Sequence, residues 1–97
     1  MNLDFEWDER KAAVNRRKHG VSFEEARTVF VDEAALQIPD PQHSEDEDRF
    51  IMLGMSIRLR VLVVCHCYRE SDEVIRIISA RKADREERHQ YEERRDR

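Results

Sequence analysis

The sequence predicts an α+β fold, with two helices ahead of a strand block and a charged helix behind it. Three observations carry that expectation. Apolar residues recur at helical spacing between residues 9 and 31. Three apolar runs, 50–55, 59–68 and 73–80, then follow one another across short turns, which predicts an antiparallel meander. From residue 85 the chain reads REERHQYEERRDR, almost pure charge. With 97 residues and 39% apolar side chains, one domain over 1–97 with one modest core is expected, its last helix within 83–97. Charged residues reach 41% and the mean hydropathy is −0.87. That could suit a disordered chain, but the apolar residues are bunched into periodic runs, which predicts folding.

Each element has a local cause. Leu3, Phe5 and Trp7 alternate with Asn2, Asp4 and Glu6, which predicts a short opening strand. Asp8 is placed to cap a helix over 9–19, its carboxylate accepting from the free amides of the first turn. That helix has a poor apolar face, chiefly Ala12 and Ala13. Its last turn, RRKHG, raises a choice. Lys18 and His19 suit the negative end of the helix dipole, and Gly20 suits the left-handed C′ position, so the stretch reads first as a helix stop. Second, the same turn exposes Lys18 and His19 as contacts for RNA or a partner. Ser22 is the next N-cap, with Glu25 three residues on in capping-box spacing. Phe23, Ala26, Val29 and Phe30 give a helix over 23–31 its core stripe. Leu36 and Ile38 predict a short strand, confined to an edge or ended by Pro39 and Pro41. Residues 44–48 predict an acidic surface turn.

Charge is segregated. Residues 21–57 hold nine acidic and two basic side chains, and residues 58–82 hold six basic and three acidic. A net charge of −4 argues weakly against a general nucleic-acid coat, yet such segregation can build a basic surface on an acidic protein. The acidic part could also dock a basic partner. Cys65 and Cys67 fit neither a zinc knuckle nor a redox pair, and His66 between them points to the other side of a strand, so no metal site or cofactor is expected. They read as small core residues in a reducing cytoplasm. No signal peptide and no membrane-spanning run is apparent.

Alternation sorts the meander into two faces. With a turn centred on 70–72, His66 falls opposite Arg76. Val61, Val63, Cys65, Cys67, Ile75 and Ile77 then make a dry face that also takes Ser79. Arg60, His66, Tyr68 and Arg76 make the other face, which reads either as ordinary solvated surface or as a place to bind phosphate and stack a base. Arg76 reads equally as half of a buried ion pair, and Arg81, at the strand end beside Lys82, as a phosphate clamp. Tyr91 reads mainly as an anchor for the last helix.

FEWDERKAAVNRRKHGVSFEEA near the start and RIISARKADREERHQYEE near the end resemble the BrnT family of type II toxin–antitoxin toxins. Arg49, Gly54 and the Val61–Val64 run fit its middle section. The resemblance spans about residues 5–93. It implies a RelE-like fold and a metal-independent endoribonuclease that cuts RNA to arrest translation. It also implies a ribbon-helix-helix antitoxin, with operator DNA bound only through that partner. Such chemistry needs a base for the 2′-hydroxyl, cationic donors for the phosphate and an acid for the leaving oxygen. The candidates are Arg81, Arg76, His66 and Arg60, with Lys18, His19, Lys82 and Tyr91 as RNA or antitoxin contacts and Asp8, Gly20, Ser22 and Glu25 as structural caps. No unique base or acid stands out. The alternatives are a non-catalytic module that holds its antitoxin, and an RNA-binding domain, which the lack of paired strand aromatics disfavours. Whether antitoxin and RNA share a face stays open.

Overall fold

The computed structural model describes residues 3–40, 49–69 and 73–96. The turns expected at 44–48 and 70–72, and Pro41, lie outside the described residues. Strand β1 (Asp4–Glu6) leads into helix α1 (Glu9–His19) and helix α2 (Phe23–Arg27), which continues as a 3₁₀ turn, Thr28–Val31. Strands β2 (Leu36–Pro39), β3 (Arg49–Met55), β4 (Val61–Arg69) and β5 (Val74–Lys82) follow, then helix α3 (Arg85–Arg95). The sheet order is β1-β5-β4-β3-β2. The sheet is therefore larger than the expected meander, and it is mixed, because β1 runs parallel to β5.

The helix boundaries follow local chemistry. Asp8 accepts from the amides of Arg10 and Lys11, and Gly20 takes φ 70° while its amide donates to Arg16 O. Ser22 accepts from Glu25 N. The reciprocal half of that capping box does not form, since Glu25 turns inward instead. The complete capping box is at α3, between Asp84 and Glu87.

The predicted faces need correcting. β4 pairs with β5 as His66↔Ile77 on one side of a bulge and Cys65↔Ser79 on the other, leaving Ile78 as the extra residue. Cys67, not His66, stands opposite Arg76. Leu62, Val64, Ile77 and Ala80 face the helices and pack with Val21, Phe23, Ala26 and Val29. His66 is fully buried on that side. The opposite face carries Val61, Val63 and Cys65, with Ser79 and Arg81 beside them. α3 covers one end of it, where Tyr91 packs with Leu53, Val61, Val63 and Ala83. The other end stays open. At Gly54 a Cβ would lie 3.2 Å from Val29 Cβ and 3.3 Å from Val29 O, so glycine is what lets the 3₁₀ turn approach β3 so closely.

Candidate nucleic-acid interface

The uncovered end of the sheet forms a groove of about 370 Å³, lined by Arg49 and Ile51 of β3, Val63 and Cys65 of β4, Ser79 and Arg81 of β5, Asp40, and His19. Alternation explains the strand residues. Arg81 pairs with Val63 and Ser79 with Cys65, so all four point to one face. His19 arrives from the other layer. β1 covers β5 only over Val74–Arg76, which leaves the edge of β5 bare beyond that point. α1 lies along this edge, and the buried Asn15 takes the place of a neighbouring strand. Its Nδ2 donates to Ala80 O at 2.8 Å and Val21 O at 3.0 Å, and its Oδ1 accepts from Ala80 N at 3.1 Å. The last turn of α1 is thereby held beside Ser79 and Arg81. Lys18 is in the adjoining groove, with Arg10, Lys11 and Ser79.

Arg81 is gripped by α3. Its Nη1 and Nη2 donate to Glu87 Oε1 and Oε2 at 2.8 and 2.9 Å. That pairing raises the guanidinium further above its ordinary value and holds the Glu87 carboxyl below its own. Burial pushes the Cys65 thiol up to about 11, reinforced by Asp40, whose Oδ2 lies 3.6 Å from Sγ. A thiol so held stays protonated and is a poor nucleophile.

The other predicted site residues fall elsewhere. Arg60 lies just before β4 and clamps Glu25. Its Nε donates to Oε2 at 3.0 Å, its Nη2 donates to Oε1, and Nη2 also reaches Gly20 O at 3.2 Å. Ser56 Oγ donates to the same carboxylate at 2.6 Å. Desolvation raises the Glu25 carboxyl, but the Arg60 and Ser56 hydrogen bonds outweigh it, so the group sits below the ordinary glutamate range. Arg76 shares the sheet face with Arg81 but pairs with Glu6 of β1 at 2.6 Å. His66 is enclosed by Phe30, Phe50 and Tyr68. Lys82 is exposed at the end of β5, opposite Leu62 and so off the groove face. Tyr91 is buried and its hydroxyl donates to Asp32 Oδ2 at 2.6 Å. Of the four residues first expected to be catalytic, only Arg81 lines the groove, and His19 is the one predicted contact residue that joins it. Arg49, Ser79 and Asp40 also line the groove and are not among the residues predicted for the site. Arg49 and Ser79 were legible only through the register, and Asp40 has no sequence signal.

Among the described residues no group of three His, Cys, Asp or Glu side chains is placed to hold a metal ion. Among the described residues no helix is long and apolar enough to cross a membrane. No curated protein matches the chain. The crystal structure of the Brucella abortus ribonuclease toxin BrnT matches with a TM-score of 0.67 at 23% identity, over 87% of this chain and all of that one, which shows a common fold. Residues 7–87 match the family model described as ribonuclease toxin, BrnT, of type II toxin-antitoxin system. The chain belongs to the BrnT family of ribonuclease toxins.

Proposed function

We propose that the chain is a metal-independent endoribonuclease of RelE-like kind that cleaves RNA in the groove between α1 and the open sheet face. It acts in the cytoplasm to inhibit translation, and a ribbon-helix-helix antitoxin holds it inactive and carries the complex to operator DNA. The observation that supports this reading is the convergence of Arg81, Arg49 and His19 on one concave surface.

The chemistry needs no more than the groove offers. The 2′-hydroxyl loses its proton and attacks phosphorus. The P–O5′ bond breaks, and the products are a 2′,3′-cyclic phosphate and a 5′-hydroxyl. Two guanidinium groups spread the growing negative charge of the pentavalent phosphate over paired donors. An imidazole can take or return a proton, and His19 is the groove's imidazole. Ser79 adds a hydroxyl donor beside them.

Expression without antitoxin should arrest growth with RNA cleavage, and the purified chain should cut RNA in excess chelator. Arg81→Ala should lower the cleavage rate by about 10²–10³-fold. Full activity in that variant would remove Arg81 from the site. A second reading, a non-catalytic antitoxin-binding module, is favoured by the double hydrogen bond that already neutralises Arg81. Normal growth on expression, with antitoxin binding intact, would select it.

A further inference from the structure

We propose that a second groove, on the side of the molecule formed by β1, α2 and α3, docks an amphipathic, acidic segment of the antitoxin. The inference rests on membership of a toxin–antitoxin family and adds a location and a partner chemistry that the ribonuclease reading does not contain.

The groove is about 880 Å³ and is lined by Leu3, Val31, Met55 and Ile57 among others. Single exposed aliphatic residues are ordinary, but here they are collected. Among the described residues six large hydrophobic side chains are exposed, and Leu3, Val31 and Ile57 all line this groove. Val31 is 77% and Ile57 76% exposed, and Leu59, two residues further along the same hairpin tip, is 79% exposed.

The tip is also built to be rigid. Ile57 N donates to Thr28 Oγ1 at 2.9 Å, Arg58 N to Ser56 Oγ at 3.2 Å, and Leu59 N to Ser56 O at 2.9 Å. Ser56 is itself fixed by Glu25. Leu59 adopts φ 62°, a left-handed conformation that a leucine takes at some cost and that surrounding bonds must hold. A turn that needed only to turn would suit glycine or asparagine there. A preordered apolar tip loses little freedom when a partner covers it.

The rim selects the partner. Arg27 and Arg95 line the groove and Arg58 stands at the tip, 68% exposed. The lining also holds two acids, Asp4 and Asp32, and Arg95 pairs with Asp96 at 3.6 Å and Arg58 with Glu25 at 3.9 Å, so among the described residues Arg27 is the rim arginine without a carboxylate partner. An apolar floor beside Arg27 and the exposed Arg58 fits an amphipathic segment that sets a carboxylate against them. RNA fits worse, because the exposed side chains of the floor are aliphatic, and of the two rings in the lining Tyr91 is buried and Phe5 only half-exposed. The location also has a use. Tyr91 and Arg95 of α3 line this groove, while Glu87, one turn earlier on the same helix, holds Arg81.

The test is calorimetric titration of the purified cognate antitoxin into the full-length toxin and its variants. Val31→Asp and Ile57→Asp, both at exposed positions, should each weaken binding about thirtyfold or more and leave RNA cleavage unchanged. The double variant Arg27→Glu, Arg58→Glu should weaken it too, whereas Arg81→Ala should not. Wild-type affinity in both aspartate variants would overturn the proposal. So would toxin dimers that Ile57→Asp dissolves, or loss of RNA binding in that variant. If the wild type cuts no RNA while the aspartate variants still lose antitoxin affinity, the ribonuclease reading falls and the docking site stands.

Discussion

His66 is a titratable side chain buried without charge compensation. Its Nδ1 lies 3.2 Å from Val64 O and its Nε2 3.0 Å from Gln37 Oε1, both acceptors, so the neutral ring can donate to only one of them. Three aromatic rings close the rest. Burial holds the imidazole down to about 4 against an ordinary 6.5. Between those values the unfolded chain binds a proton that the folded chain refuses. Stability is therefore full above about 6.5 and is lost as pH falls towards 4, by roughly 3 kcal/mol in all. The window from 6.5 to 5 isolates His66, because the depressed carboxyls of Glu25 and Asp32 begin to matter only below it. Denaturant titrations should show wild-type stability falling across that window, and His66→Leu should show a flat line there whatever its absolute stability. Equal slopes would rule this account out. A histidine in an apolar run was legible in the sequence. Its burial was not, because one bulged residue, Ile78, decides how β5 meets β4.

Elements were more legible than faces, since they are written in nearby residues. Asp8, Gly20 and Ser22 bound α1 and start α2 through bonds spanning four residues or fewer. The parallel pairing of β1 with β5 had no such signal, since it joins three-residue stretches some seventy positions apart. Asn15 was illegible for a related reason. A polar residue on a charged helix reads as surface, and only the bare edge of β5 makes it structural. Asn15→Ala would strip Ala80 N–H and C=O of their partners in a buried place. The expected loss is about 2–4 kcal/mol. Cleavage should fall further than stability alone explains, because the last turn of α1 would no longer hold His19 over the groove. Asn15→Asp can accept from Ala80 N but sets a buried carboxylate oxygen against Ala80 O and Val21 O, so at neutral pH it should be no more stable than Asn15→Ala. An unchanged melting profile for Asn15→Ala would mean that packing alone seats α1.

At the scale of the whole molecule, an acidic protein gathers two arginines and a histidine into one groove, where Asp40 also lies and Glu87 already occupies the Arg81 fork. The charge segregation of the sequence was legible, whereas its consequence needed the sheet to bring Arg49, Arg81 and His19 to one place. For single-stranded RNA, each phosphate neutralised steepens the dependence of log affinity on log salt by about 0.7. A guanidinium held by a carboxylate contributes that increment only if the carboxylate lets go. Glu87→Gln removes the competing charge while keeping an amide able to bond Asp84 N. It should tighten RNA binding at low salt and steepen the slope by about 0.7, and Arg81→Ala should be shallower than Glu87→Gln by the same amount. The measurement is RNA affinity at several salt concentrations with a non-cleavable 2′-deoxy substrate, which separates binding from cutting. If Arg81→Ala and Glu87→Gln share one slope, Arg81 does not meet the phosphate and its bond to α3 is only a fastening.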